Sequence, residues 1–505
     1  MNQGGSDLLA ALKESLDLID QMIREGRMNE AHRALDRISI KALNRGLAAR
    51  FANLARRLMK PQLAVRALHP IIRGEFALSE PPTDFEKAEY GVALLRLGAI
   101  PEALELLNDV SPAKVPMVHL YRAFCHFNRW NYLAGLQCLE FDLSKLPVDD
   151  YQKNTIRVNR AAAKLWLADL DGLEYELLDL QETLGRNNQR RLQSNVFEML
   201  AQNYIQTESW DKSADALRRS MELIDSNHRM DTLFIRKWQA ISQALRDRDP
   251  TALGELRTEA LAAGHWETVR DVDHYRLQIE PDRRLFEYLY FGTPHHSFRH
   301  RLEHGWRSEF AIPEYAEVGG GTAPSRVWNP FEPGKDWGSL SHRLNLVLLQ
   351  DLYQPRRVGE IFSMLFQNEY FSPDSSVNRV HQAVRRLKEF MRENQVPASI
   401  ESIDGLYRLQ IAPDIAVGLY RRFPVARDPF YRWRLNQFAP HESRDHGISR
   451  DQVENLLAIS TSKAKEWIRR GREEGWIETF GAGSNTRYFI HSPFQSADQS
   501  QVRSA

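Results

Sequence analysis

The sequence predicts a mainly α-helical chain, in which an N-terminal solenoid of helical hairpins is followed by two small α+β domains. From about residue 7 to residue 290, apolar residues recur at three- and four-residue steps, and strand-like alternation is scarce. A degenerate repeat, in which a turn residue precedes an alanine by five positions, runs through this half. Beyond residue 338, three helical segments followed by a hairpin pattern occur twice. These observations favour the solenoid and the two small domains.

The composition is that of a globular protein. The 505 residues, 42% hydrophobic and 27% charged, are enough for about three domains. Lys+Arg and Asp+Glu both number 67, so the net charge is zero. The segment from Gly338 to Gln495 nevertheless carries 22 Lys+Arg against 18 Asp+Glu, a net charge of +4. This basic excess is mild, and it favours a nucleic-acid partner for the C-terminal third.

The cysteines and the N-terminus predict a cytoplasmic protein. Cys125 and Cys138 do not make a disulfide framework, and we interpret them as reduced thiols. No basic stretch followed by an apolar one follows Met1, so no signal peptide is expected. No apolar run approaches the ~18 residues of a membrane span, so no membrane association is expected.

The chain is predicted to have five parts. They are a helical repeat domain at 1–290, a linker or docking segment at 291–338, α+β domains at 339–415 and 428–492, and a disordered tail at 493–505. The linker is recognised by its glycine and proline, which concentrate in Val318–Ser325 and Trp328–Trp337.

The repeat is clearest where Met22–Ala31 aligns with Leu94–Ala103, and looser copies run from Asn128 to Ala134 and from Thr207 to Ala214. Gly26 and Gly98 let the chain turn sharply out of a helix. The alanine, one turn into the next helix, allows two helices to approach closely. In the looser copies a tryptophan is expected in the turn, and aromatic or leucine side chains fill the space between hairpins; these residues are Trp130, Trp210, Tyr90, Leu94, Tyr121, Phe124 and Tyr204.

On these residues the N-terminal half resembles the tetratricopeptide repeat (TPR) family, although no full consensus is present. The resemblance implies an α-solenoid whose concave surface binds a protein or peptide partner. An irregular helical bundle without a binding groove is the alternative.

The first α+β domain lies within Leu340–Ile411. Helices are expected at 340–352 and 357–367, and a third from Ser375 to about Glu393 after the capping residues 372–374. Residues 399–411 alternate around Asp404-Gly405, which predicts a hairpin. Three helices followed by a hairpin form a winged helix. The third helix would bury Val377, Val380, Val384, Leu387 and Met391, and expose Asn378, Arg379, Gln382, Arg385, Arg386 and Arg392.

Through Arg386-Leu387-Lys388 and the run 403–409, this domain resembles the OmpR/PhoB-type effector domain of bacterial response regulators. The resemblance implies a third helix in the major groove and a wing at the minor groove. The DNA-contacting residues would then be Asn378, Arg379, Gln382, Arg385, Arg386 and Arg408. No phosphorylatable receiver domain precedes it, and the loop before the third helix has few basic residues. A winged helix that binds only protein is the alternative.

The second α+β domain repeats this design over 428–490. We expect helices at Phe430–Phe438, at 448–457 with Ser449 as N-cap, and at 463–475, then two strands around a glycine-rich tip. The run LLAISTSKAKEWIRRGREEGWIE is similar to the helix-turn-helix core of many bacterial repressors, although Gly471 replaces a usual large apolar residue. The expected contacts are Thr461, Ser462, Lys463, Lys465, Arg469, Arg470 and Arg487. A dimerisation or protein-docking domain is the alternative.

The sequence contains no recognisable catalytic motif. Asp336 follows Gly334-Lys335, so a phosphate-binding Walker loop is excluded, and no Cys-x-x-Cys, His-Glu-x-x-His or Gly-x-Ser-x-Gly occurs. Residues His296, His300 and His304 fall on one helical face at a spacing that can share a metal. We interpret them as surface histidines, and expect no catalytic site, metal or cofactor.

The sequence therefore predicts a non-enzymatic transcription regulator. Its winged helix-turn-helix domains bind double-stranded DNA, and its helical array binds a protein or peptide partner; homo-oligomerisation stays open. The alternative is a protein-assembly scaffold, since helical arrays followed by a winged helix also resemble subunits of large eukaryotic lid-type complexes. The DNA target, the partner, and activation as against repression stay open.

Overall fold

The computed structural model describes residues 3–490 except 26, 75–79, 225–228, 307, 322–323, 331–338, 368, 404, 422–446, 458, 474–476, 482 and 484–485. The disordered tail predicted at 493–505 and the helix predicted at Phe430–Phe438 lie outside the described residues. Over the part that is described, the chain is mainly helical, as predicted, and it contains three small sheets.

Seventeen α-helices precede the first strand in the described part of the chain. They are α1 (Gln3–Arg24), α2 (Met28–Asp36), α3 (Arg45–Arg57), α4 (Pro61–Ile72), α5 (Asp84–Leu97), α6 (Ile100–Asn108), α7 (Val118–Phe127), α8 (Tyr132–Gln137), α9 (Asp150–Trp166), α10 (Leu173–Arg186), α11 (Arg190–Gln206), α12 (Trp210–Leu223), α13 (Arg229–Asp247), α14 (Thr251–Ala262), α15 (Trp266–Ile279), α16 (Arg283–Phe291) and α17 (His296–Trp306). From α1 to α16, each odd-numbered helix packs on the next, and successive pairs also touch. We call α1–α17 the array.

The turns of the array confirm the repeat but shift its register. Gly98 ends α5 with a φ of 92°, and its N–H donates to the carbonyls of Leu94 and Leu95, as a glycine cap should. Several other turns place a non-glycine residue at positive φ, including Met59, Trp130 and Glu208. Five positions after each of these four turn residues comes a small, buried residue: Ala64, Ala103, Gly135 or Ser213.

Three details of the predicted repeat were therefore wrong. Trp210 is the first residue of α12 and does not lie in the turn, whose positive-φ residue is Glu208. Ala214 is exposed, and the buried small residue is Ser213 instead. Likewise Gly135, and not Ala134, is buried, and a Cβ there would lie 2.2 Å from the Phe127 ring. The sequence pattern identified the turn position by glycine, whereas a non-glycine residue can also adopt positive φ there when the surrounding structure holds it in place.

Two strands follow within the predicted linker, β1 (Tyr315–Gly319) and β2 (Arg326–Trp328). Both pair with β6 (Ile415–Tyr420), β1 antiparallel and β2 parallel. The described part of 291–338 thus contains α17 and two strands, where an irregular segment was expected. The third strand of this sheet comes about 90 residues later in the chain, so local sequence did not reveal the pairing.

The next elements are α18 (Leu340–Leu349), β3 (Arg356–Arg357), α19 (Val358–Leu365), α20 (Ser375–Glu393), β4 (Ala398–Ile403) and β5 (Leu406–Ile411). We call 340–411 the first helix–hairpin unit. Its three helices and its hairpin lie where predicted, with Gly405 at a φ of 78° beside the turn. Strand β3 was not predicted; it pairs with β5 and makes a three-stranded sheet in the order β3-β5-β4.

The second helix–hairpin unit comprises α21 (Arg450–Leu457), α22 (Thr461–Glu473), β7 (Ile477–Phe480) and β8 (Arg487–Ile490). Ser449 caps α21 as predicted: its hydroxyl accepts the Gln452 N–H, and Gln452 accepts the Ser449 N–H. Strands β7 and β8 pair antiparallel around the glycine-containing tip.

The buried apolar residues join the first unit to the array. One continuous core contains residues of α1–α7, α15–α17, the sheet β1-β6-β2 and the first unit. A second core fills α9–α15, and a separate small core of Ile448, Val453, Ala464, Ile468 and Ile477 holds the second unit. The array and the first unit therefore share a core, whereas two independent domains were expected.

Candidate nucleic-acid interface

Helix α20 has a buried apolar side and an exposed cationic side. Val380, Val384, Leu387 and Met391 are buried, and Val377 is partly buried. The exposed charged residues of the helix are Arg385, Arg386, Lys388, Glu389, Arg392 and Glu393, four positive against two negative. Asn378 and Gln382 are exposed on the N-terminal half of the same helix. The amphipathic pattern read from the sequence is thus present in the fold.

Arg379 belongs to the predicted contacts but already has partners within the unit. Its guanidinium pairs with Glu369, with an Nη2–Oε1 distance of 3.0 Å, and lies 3.8 Å from the centroid of the Phe366 ring. An exposed ion pair of this kind stabilises by at most about 1 kcal/mol. Arg379 would have to leave this pair to contact a base.

Arg408, the predicted wing contact, points to the array. It pairs with Glu401 across the hairpin, and its guanidinium lies 4.6 Å from the Trp266 ring of α15. Its side chain is 24% exposed. The guanidinium of Arg408 is therefore engaged with a ring of the array and with Glu401.

The predicted contacts of the second unit cluster at the start of α22. Thr461, Ser462, Lys463 and Lys465 are exposed, and the Thr461 hydroxyl donates to Glu454 at 2.9 Å. Arg469, on the same helix, is also exposed, and the guanidinium of Arg487 on β8 donates to the carbonyl of Thr486. The side chain of Arg470 lies outside the described residues.

The start of α19 is packed directly on the turn between α5 and α6. A Cβ at Gly359 would lie 2.5 Å from the carbonyl oxygen of Leu97 and 2.9 Å from the amide of Ala99. Conversely, a Cβ at Gly98 would lie 3.1 Å from the Cβ of Arg357 and from the amide of Glu360. Two backbones meet here without a side chain between them, so the docking needs both glycines.

A buried ion pair joins the array to the segment after α18. Both Arg270 of α15 and Asp351 have fully buried side chains, and Arg270 Nη2 lies 2.7 and 2.8 Å from the carboxylate oxygens. Asp351 Oδ1 also accepts the amides of Tyr353 and Gln354, each at 2.9 Å. Burial opposes ionisation of Asp351, but the nearby Arg270 and Arg356 outweigh it and lower its pKa.

Aromatic rings and a second carboxylate enclose this pair. The Arg270 guanidinium lies between the rings of Trp130 and Tyr353, 5.1 and 5.2 Å from their centroids. The Tyr353 hydroxyl donates to Asp273 at 3.0 Å, which also pairs with Arg257. Residues of α14, of α15 and of the α7–α8 turn thus hold the first unit, and the charged groups of Arg270, Asp273 and Asp351 are excluded from water.

His295 stacks on Trp130 beside this pair, with ring centroids 5.0 Å apart. Burial and the charge of Arg270 lower its pKa to about 3. The Asp351 carboxylate, 4.0 Å from Nε2, would by itself favour protonation. Burial and the guanidinium are the larger effects, so His295 is neutral at physiological pH.

The predicted histidine row lies on the exposed face of α17. His296, His300 and His304 are all exposed, and the rings of His300 and His304 are 4.2 Å apart. Among the described residues, no group of three or more His, Cys, Asp or Glu side chains has the geometry to hold a metal ion. Both cysteines are free thiols, Cys125 buried and Cys138 half-buried.

An open cavity of about 490 Å³ lies between α14–α16 and the β1–β2 loop. Its lining combines three arginines (Arg257, Arg276, Arg284) with the acidic residues Asp273, Asp282 and Glu317. The charges balance, so the cavity has no net preference for an anion or a cation. The helices that the structure describes include none long and apolar enough to cross a membrane.

The residues that attach the first unit to the array were not singled out from the sequence. Buried acids such as Asp351, and a helical glycine such as Gly359, look like ordinary surface or helix positions in a linear pattern. The one available signal was Gly359 itself, because a glycine inside a predicted helix lowers the stability of that helix and so draws attention to the position.

Comparison with known proteins yields little. No family profile and no curated protein sequence matches the chain. Among solved structures the chain is similar to the crystal structure of the P58(IPK) TPR domain, with 14% sequence identity over 76% of this chain and 99% of that one. The TM-score of 0.18 is too low to establish a shared fold. The array is therefore assigned from its own helical pairs.

Proposed function

We propose that the protein is a non-enzymatic transcription regulator that binds double-stranded DNA through the exposed face of α20. The observation that carries the proposal is the arrangement of that helix. Its inner side is buried, and its outer side combines Asn378, Gln382, Arg385 and Arg386 with two further cations. Arginine pairs bidentately with guanine, and asparagine or glutamine with adenine, in the major groove.

The order of elements in both helix–hairpin units supports a winged-helix assignment, of the OmpR/PhoB type for the first and repressor-like for the second. Helix α20 would be the recognition helix of the first unit and α22 that of the second. Two readers in one chain would raise the avidity for adjacent DNA sites. The free thiols support the proposed cytoplasmic location.

The TPR-like array is proposed to bind a protein or peptide partner. Its α5–α6 turn and its α15 helix are already occupied by the first unit. The partner would therefore use another surface, for example α10, on which Tyr175 is 81% and Leu178 42% exposed. Contiguous exposed apolar patches are typical of protein interaction sites, and Tyr175 and Leu178 are one helical turn apart.

A DNA-binding experiment tests the main proposal. The full chain is needed, because the first unit shares its core with the array and a fragment from residue 339 would expose that core. Sequences selected from a random DNA pool would be measured by mobility shift at two salt concentrations. We expect specific, salt-sensitive binding.

Arg386→Ala should weaken specific binding by about 1–3 kcal/mol if Arg386 reads a base. The matched control is Arg186→Ala, which removes an exposed arginine of α10, far along the chain from either unit; it should leave binding unchanged. A folded full chain that binds no DNA at low salt would refute the proposal.

The alternative function is a protein-assembly scaffold. The observation that favours it is the position of Arg408, whose guanidinium lies 4.6 Å from the Trp266 ring of the array. A helix–hairpin unit that already makes protein contacts could make others. Absence of DNA binding, together with a defined complex on co-purification, would favour this function.

A further inference from the structure

Glu102 of α6 is a buried carboxylate that reaches across to the first unit. It is 8% exposed. Its Oε2 accepts the backbone N–H of Phe371 at 2.7 Å, and its Oε1 is bound by the guanidinium of Arg73. Phe371 lies in the turn between α19 and α20, four residues before α20 begins. An array side chain therefore holds the backbone just before the proposed recognition helix.

Two further array residues hold the same turn. The Arg73 guanidinium lies 3.6 Å from the centroid of the Tyr370 ring. Arg66 of α4 pairs with Asp374, the residue directly before α20, at 2.9 Å. The Asp374 side chain does not cap its own helix. Contacts from α4 and α6 thus fall on both sides of Phe371.

The chemistry of Glu102 makes it the centre of this attachment. Burial raises the pKa of its carboxyl group, while the Phe371 amide and Arg73 act in the opposite direction. A hydrogen bond from an amide to a buried carboxylate is stronger than one between neutral groups. The bond is directional, so it restrains where the backbone enters α20.

We propose that Glu102 is a positioning residue for α20, so that the array sets the sequence selectivity of DNA binding without contacting the bases. The inference rests on the proposed function. Asn378 and Gln382 lie in the N-terminal half of α20, nearest to the restrained turn. Base contacts need close geometric fit, whereas phosphate contacts by flexible cations depend mainly on charge. Loss of the restraint should therefore lower specific binding more than non-specific binding.

The test compares full-length variants on a selected DNA sequence and on random DNA of equal length. Glu102→Ala should lower the ratio of specific to non-specific affinity about tenfold, the size of one lost base contact. Glu102→Gln keeps an acceptor for the Phe371 amide and should recover most of the ratio. Glu105→Ala, which removes an exposed carboxylate one turn along the same helix, is the control and should change nothing.

Native-state hydrogen exchange gives a readout that does not require DNA. In Glu102→Ala, the Phe371 amide should exchange about tenfold faster or more, as expected for loss of a hydrogen bond to a charged group. If Glu102→Ala fails to fold, Tyr370→Ala removes the exposed ring under Arg73 and should lower the specificity ratio in the same direction.

The outcomes separate the two proposals. A wild-type protein that binds selected DNA, with an unchanged specificity ratio in folded Glu102→Ala, would overturn the positioning role and leave DNA binding intact. A wild-type protein that binds no DNA would refute the proposed function and the positioning role with it. A lowered ratio in Glu102→Ala that Glu102→Gln restores would establish the role.

Discussion

Removing Asp351 should uncouple the first unit from the array. The carboxylate neutralises Arg270, whose side chain is 0% exposed, and accepts two backbone amides. Breaking a buried pair from one side costs about 3–5 kcal/mol, because the remaining charge is left without a partner. The two amides add about 1–3 kcal/mol each if water does not reach them. Asp351→Ala should therefore destabilise the protein by about 5 kcal/mol or more.

Three further variants apportion this cost. Asp351→Asn retains an acceptor for the amides and should cost about 3 kcal/mol, mainly from the unpaired guanidinium. Adding Arg270→Met should recover much of that loss, because the buried charge is then gone. Glu280→Ala breaks an exposed pair with Arg276 at the C-terminal end of α15 and should change stability by less than about 0.5 kcal/mol.

Urea unfolding followed by circular dichroism at 222 nm measures the loss, and hydrogen exchange in α18 and α19 locates it. Because the chain has several cores, midpoints of individual transitions are compared. A cost below about 1 kcal/mol for Asp351→Ala would refute the reasoning, since it would mean that water reaches Arg270. An unchanged α19 exchange rate would show that the pair does not hold the unit in place.

Two other predictions concern docking and pH. Gly359→Ala forces a Cβ against the backbone of the α5–α6 turn and should lower the free energy of unfolding by about 1–3 kcal/mol, measured by thermal unfolding. The control is Gly254→Ala, because a Cβ there meets open space within a helix; this variant should raise the free energy of unfolding by up to about 1 kcal/mol. His274 and His295 have their pKa lowered to about 3, mainly by burial, so the folded protein keeps them neutral while the unfolded chain protonates below about 6.5. The free energy of unfolding is therefore unaffected by these two groups above pH 6.5 and falls as the pH is lowered towards 3. At pH 5 the loss should be about 2 kcal/mol for each histidine. Denaturant midpoints at pH 7.5 and pH 5 measure this loss of stability. A double variant, His274→Leu with His295→Phe, should lose less stability between the two pH values than the wild type, and an equal loss would contradict the assignment to these histidines.

Local patterns predicted the elements well. The capping residue Ser449, the apolar side of α20 and the hairpin beside Gly405 depend on neighbours within a few residues, and all three lie where expected. The repeat could also be found because its turn and its small residue are only five positions apart, although its register was placed by assuming that glycine marks the turn. Trp130 and Glu208 take the turn at positive φ. Such positions cannot be recognised from residue type alone, because tertiary packing holds them there.

Pairings between distant segments could not be predicted in this way. Strand β6 joins β1 and β2 across about 90 residues, and β3 is only two residues long. Arg408 was expected to contact DNA, and its guanidinium lies 4.6 Å from the Trp266 ring of α15, a contact that the sequence did not reveal. For a charged residue, sequence shows which side of an element it occupies, but it does not show what lies opposite.

By itself, the sequence determined a helical array followed by two helix–hairpin units, and it placed a cationic face on α20. Hydrophobic periodicity and capping act over one or two turns, so they can be read along the chain. Only the tertiary structure decided that the array and the first unit share one core, that Asp351 pairs with Arg270, and that Glu102 holds the turn before α20. These contacts join residues 81 to 269 positions apart. Removing charges and backbone groups from water costs free energy unless each of them finds a partner, and these partners come together only once both surfaces meet.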